Sequence, residues 1–128
     1  MKKLALLVLF AVVLTLCACS RPTTETNETS PATAFEKFEK ALDGKNITYE
    51  KVRMAAEMIG AKEGYKYKTG SGNIEMYEYD KTSSAYQTAE AEQKITSDYG
   101  SYDATVLNGF ALVSDDQSVI DLFKEAVK

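Results

Sequence analysis

The run Gly64-Tyr65-Lys66-Tyr67-Lys68-Thr69-Gly70-Ser71-Gly72-Asn73-Ile74-Glu75-Met76-Tyr77-Glu78-Tyr79-Asp80 alternates residue types on both sides of a glycine-rich centre. Strict alternation is the mark of a strand with one buried face, and a Gly/Ser/Asn cluster between two such runs marks a hairpin turn. An even-length turn through Gly70-Ser71-Gly72-Asn73 puts Tyr65, Tyr67, Ile74 and Met76 on one face, which is expected to be core. On the opposite, wet face Lys68 then lies across from Glu75 and Lys66 across from Tyr77. Tyr77 and Tyr79 are expected to emerge beside Lys66 into solvent.

On the N-terminal side of this hairpin two helices are predicted. Thr33-Ala34-Phe35-Glu36 is a capping box followed by Phe35, Phe38 and Leu42 at helical spacing, with Gly44 as the stop. Thr48 caps a second stripe of Val52, Ala55, Ala56 and Ile59 that ends at Gly60, widened by Met54 and Met58. On the C-terminal side a third helix is predicted over residues 83–95 and a loop over residues 98–103. The strongest short hairpin signal is Asn108-Gly109 between two apolar runs, residues 104–107 and 110–113. Apolar on both faces, this second hairpin is expected centrally in the sheet. Ser114-Asp115-Asp116-Gln117 then opens a last helix lined by Val119, Ile120, Phe123 and Val127. The predicted architecture is α+β: two N-terminal helices, then two ββα units, giving a four-stranded antiparallel sheet with its helices on one face.

The beginning of the chain is of another kind. Met1-Lys2-Lys3 precedes an apolar run, residues 4–16, too short to span a bilayer comfortably but suited to the core of a signal peptide. Leu16-Cys17-Ala18-Cys19 then resembles the lipobox of bacterial lipoproteins, with an aliphatic residue three before the cysteine and a small one directly before it. The resemblance implies that residues 1–18 are a signal peptide and that Cys19 is lipidated and becomes the mature N-terminus, held at the extracytoplasmic face of the cell membrane. Residues 20–32 (SRPTTETNETSPA) contain no large apolar side chain and are expected to form a flexible tether reaching roughly 20 Å. Residues 33–128 are expected to be a single domain. That domain also resembles small lipoproteins of Gram-positive bacteria in which a helix of the form Tyr-Glu-Lys-Val-x-Met-Ala-Ala-Glu-Met-Ile-Gly-Ala, here residues 49–61, precedes a Tyr/Lys-rich strand, here Gly64-Tyr65-Lys66-Tyr67-Lys68. This likeness implies no activity and no site.

Composition narrows the chemistry. Without Lys2 and Lys3 the chain carries 13 basic and 19 acidic residues, a formal charge of −6, which disfavours nucleic acid as a partner. There is no histidine, and both cysteines, Cys17 and Cys19, lie at the end of the leader. Imidazole-assisted Ser or Cys catalysis and His- or Cys-ligated zinc are thereby excluded from the expected domain, and no cofactor or metal is called for. Glu36, Glu39, Glu50, Glu90 and Glu92 fall at spacings typical of wet helix faces, and the Asp98 to Asp103 segment only partly imitates a calcium loop. Eight tyrosines, all in the domain, are the conspicuous resource. Tyr77, Tyr79 and Lys66 are the candidate binding residues, an amphipathic patch suited to a peptide or glycan. The expected function is a non-catalytic, membrane-anchored binding module acting on an envelope protein, peptide or glycan. Its rivals are a carboxylate-dependent envelope hydrolase and an inhibitor or accessory subunit of another envelope protein.

Overall fold

Helix α1 (Ala34–Gly44) opens on the capping box expected of it: the Thr33 hydroxyl accepts from the Glu36 N–H at 3.2 Å, and the Glu36 carboxylate accepts from the Thr33 N–H at 2.9 Å. The computed structural model describes residues 32–128; the expected signal peptide, Cys19 and the expected tether up to residue 31 lie outside the described residues. The chain continues as β1 (Tyr49–Arg53), a single 3-10 turn (Ala56–Ile59), β2 (Glu63–Thr69), β3 (Gly72–Glu78), α2 (Ser84–Glu92), β4 (Lys94–Ser97), β5 (Gly100–Asp103), β6 (Thr105–Leu107), β7 (Phe110–Val113) and α3 (Gln117–Ala126). The class is α+β, with a five-stranded antiparallel sheet in the order β1-β2-β3-β7-β6 and a separate two-stranded sheet of β4 and β5.

Several expectations are corrected. The second N-terminal helix is instead strand β1 followed by the 3-10 turn, so there is one N-terminal helix and the main sheet has five strands rather than four. Its sequence supports both periods, and the unpaired edge of β2 decides between them. As a strand, Tyr49 sets its ring edge-on to Tyr67 at 5.2 Å, and Lys51 lies 4.1 Å over the Tyr65 ring while bonding Glu39 at 2.5 Å. A helix would leave that edge and those rings bare.

The second correction concerns the residues after α2, which form the β4–β5 hairpin instead of a helix end and a loop. Gln93 adopts a left-handed conformation (φ 52°) and ends α2 one residue before Lys94. Ile95, read as part of a helical stripe, points from β4 into the core.

The third is that the helices do not share one face. Helices α1 and α3 cover the face carrying Tyr67, Ile74, Met76 and Leu112, packing Phe38, Leu42, Val119 and Phe123 against it. Helix α2 belongs to a second core on the other face, where Tyr86 and Ala89 meet Tyr77, Tyr79, Val106 and Ala111, with Ala56 and Ile95 alongside.

The β2–β3 hairpin keeps the predicted faces but shifts its register by two residues. Lys66 pairs with Glu75 and Lys68 with Asn73, across a two-residue Gly70-Ser71 turn braced by Thr69, whose hydroxyl donates to the Gly72 carbonyl at 2.7 Å. A two-residue slip preserves every side chain's face because the strand period is two. The Asn108-Gly109 turn forms with positive φ at both residues (53° and 90°), as a tight hairpin requires. The Gly109 N–H donates to the Tyr86 hydroxyl at 2.9 Å, and the Asn108 carboxamide donates to the Val127 carbonyl at 2.8 Å. Strand β7 is interior, but β6 forms the sheet edge, so this hairpin is only half as central as its apolar faces suggest.

Candidate functional site

Tyr77 and Tyr79 are buried, with 6% and 4% of their surface exposed, which corrects the expectation that they face solvent. The cause is the second core. The Tyr77 ring lies over Gly64, its partner in β2, so closely that a Cβ there would stand 2.3 Å from the ring. Tyr79 packs against Tyr86 at 5.9 Å beneath α2. Burial pushes the Tyr79 phenol up to about 12. It raises Tyr77 further, assisted by the hydrogen bond to Glu75 and that carboxylate's charge.

Lys66 and Tyr77 do come together, through Glu75. The Tyr77 hydroxyl donates to Glu75 Oε2 at 2.8 Å, and Lys66 Nζ meets Glu75 Oε1 at 3.1 Å. Lys66 keeps about a quarter of its side chain exposed (26%), whereas Tyr79 belongs to the packing around Tyr86. The three predicted binding residues therefore form a structural chain and a core contact rather than one exposed patch.

The exposed aromatic surface lies instead on the β4–β5 hairpin. Tyr99 at its tip is 79% exposed and Tyr102 on β5 is 50% exposed; Met58, on the 3-10 turn that packs against β4, is the remaining exposed large apolar side chain among the described residues. The hairpin is firmly built. Ile95, the cross-strand partner of Tyr102, anchors it in the second core. The Thr96 and Ser101 hydroxyls meet at 3.1 Å across the strands, and the Ser97 hydroxyl accepts from the Tyr99 N–H at 3.2 Å in the turn. At the hairpin's base the Ala104 N–H donates to the Gln93 carbonyl at 3.0 Å. The sequence signal for this element is the polar alternation of Lys94-Ile95-Thr96-Ser97 and Gly100-Ser101-Tyr102-Asp103 about Asp98-Tyr99. Assigning Ile95 to the preceding helical stripe conceals it.

Two clefts lie elsewhere on the fold. One of about 390 Å³ lies between the β2–β3 turn and the start of α3, lined by Thr69, Asn73, Ser114, Asp115 and Asp116. Of its two carboxylates, Asp116 is engaged in capping α3, accepting from the Ser118 N–H at 2.8 Å and hydroxyl at 2.6 Å. The other, about 430 Å³, gathers Glu36, Glu63 and Glu78 beside Lys51, Tyr65 and Phe110. Glu63 and Glu78 are direct cross-strand neighbours, but Tyr65 donates to Glu63 at 2.5 Å and Lys62 lies 3.7 Å from Glu78. A carboxylate hydrolase needs one carboxyl held out of water, and no carboxylate among the described residues is buried. Among the described residues no group of three potential ligands could hold a metal ion, and no helix is long and apolar enough to cross a membrane. No family model, curated protein or solved structure matches the chain.

Proposed function

We propose that the chain is a membrane-anchored envelope lipoprotein whose folded unit captures a partner through the β4–β5 hairpin. The anchor is the lipobox ending at Cys19, and the tether through residue 32 gives the unit reach. The observation that carries the binding reading is the pair Tyr99 and Tyr102, held in solvent on a hairpin fixed by Ile95. Rigid, amphipathic tyrosine rings lose little side-chain entropy on contact, which suits them to recognition. With Met58 beside β4, the surface also fits the narrower form of this reading, an inhibitor or accessory subunit with a single protein partner.

In-cell crosslinking followed by mass spectrometry of the attached species tests both parts. Tyr99→Ser with Tyr102→Ser is expected to leave the melting temperature within a few degrees of wild type, as surface changes usually do, and to abolish partner capture. Capture that persists in this variant would refute the hairpin as the working face. Cys19→Ala is expected to release the protein or leave an uncut precursor; a processed form still attached to the membrane would refute the anchor.

A further inference from the structure

Resting on the hairpin as the working face, we infer that the outer edge of β5 takes an extended, basic peptide segment of a partner protein as an added strand. The strand edges of the fold are treated differently. At the β6 edge, the Gln93 carboxamide accepts from the Val106 N–H at 2.9 Å and donates to the Val106 carbonyl at 3.2 Å, occupying both backbone groups that a new strand would use. The β1 edge carries Glu50, Lys51 and Arg53 within five residues, the charged composition by which natural sheets discourage pairing. Strand β5 has neither protection along most of its length. All four of its residues are exposed, and among the described residues it pairs with β4 alone. Strand addition uses such an edge, main-chain hydrogen bonds supplying affinity and flanking side chains specificity.

Charge selects the kind of segment. Asp98 and Asp103 on the hairpin, Glu92 just before it and Glu57 on the 3-10 turn are exposed, against Lys94 alone. None of these four carboxylates takes part in an ion pair among the described residues, although Lys94 stands opposite Asp103. A strand bearing lysine or arginine would find carboxylates near both ends of β5, and the rings of Tyr99 and Tyr102 would receive the long alkyl stems and cationic heads. A neutral glycan could stack on Tyr99, but it would use neither the strand edge nor the charge.

The test uses the full-length lipidated protein in detergent micelles, probed with a capped octapeptide alternating lysine and threonine. Three controls accompany it: the same peptide with glutamate for lysine, the lysine peptide N-methylated at alternate residues, and a neutral chitin tetrasaccharide. The lysine peptide is expected to bind and to protect β5 amides from hydrogen exchange. Each main-chain donor removed by N-methylation is expected to weaken binding about fivefold. The glutamate peptide is expected not to bind, and Asp98→Lys with Asp103→Lys is expected to reverse the preference. Absence of lysine-peptide binding, binding indifferent to N-methylation or to charge reversal, or binding of the tetrasaccharide alone would each overturn the inference. If any of these accompanies loss of cellular capture in the Tyr99/Tyr102 variant, the hairpin reading stands without the added strand. Capture that survives in that variant removes the reading itself.

Discussion

Replacing Gly64 by alanine tests whether Tyr77 is core or recognition surface. Gly64 does not have positive φ, so alanine suits its backbone, and on chain entropy alone the change should stabilise the strand by roughly 0.5–1 kcal/mol. The new methyl, however, would lie 2.3 Å from Tyr77 Cδ1 and 2.7 Å from Cε1, well inside van der Waals contact. The ring must leave its place over the strand, loosening the hydrogen bond to Glu75 and the contact with Ala111, its partner in β7. Overpacking of this kind costs about 1–3 kcal/mol. With two ring atoms this far inside contact the cost falls in the upper half of that range, so after the entropic gain the net loss is about 1–2 kcal/mol, which for a domain of this size lowers the melting temperature by roughly 5–15 °C. Thermal unfolding followed by circular dichroism measures it. Repeating the substitution in a Tyr77→Ala background should reverse its sign, because the obstructing ring is gone. An unchanged or raised melting temperature for Gly64→Ala alone would refute the reasoning and return Tyr77 to the solvent-facing position that its alternating strand predicts.

Gln93→Ala retains the left-handed backbone (φ 52°) while removing the carboxamide from Val106. Losing these two bonds should cost about 1–3 kcal/mol and open the β6 edge, giving a lower melting temperature and concentration-dependent dimers by size-exclusion chromatography; an unaltered variant would deny the plug its role. At alkaline pH, Tyr67, Tyr77 and Tyr79 all have phenols raised by burial, Tyr79 to about 12. Because an unfolded tyrosine ionises near pH ~10, the stability linked to their neutral forms is fully present below that pH and is lost as pH rises through the folded values. Phenolate absorbance from these three should therefore appear with cooperative unfolding above pH ~10, and site-resolved NMR showing them ionised near that pH in a folded chain would contradict their burial.

Much of the fold was legible because local signals and burial agree. The Thr33 capping box, the Asn108-Gly109 turn and the face assignment of Tyr67, Ile74 and Met76 each depend on chemistry within a few residues, and each is present. Residues 49–53 are ambiguous locally because Val52 satisfies a helical stripe while Tyr49-Glu50-Lys51-Val52-Arg53 equally satisfies a strand, and the choice is made by β2, a distant partner. The exposed surface is not legible for a related reason. Alternation tells which side of a strand Tyr77 occupies, but not that α2 and the 3-10 turn cover that side, so a polar-looking face is in fact a core of tyrosine and alanine. Tyr99 and Tyr102 were hidden by the opposite error, since a short polar hairpin of hydroxyl-bearing residues gives almost no hydrophobic periodicity.

The Asn108-Gly109 turn has a bearing on chemical ageing. An asparagine followed by glycine is prone to deamidate because the glycine nitrogen can attack the asparagine side-chain carbonyl, closing a succinimide ring and expelling ammonia. Here the attacking nitrogen has its hydrogen engaged by the Tyr86 hydroxyl in a buried bond, and the leaving carboxamide is tied to the Val127 carbonyl. Ring closure requires both to be released, so the durability of this linkage over the protein's lifetime is set by how often the turn opens.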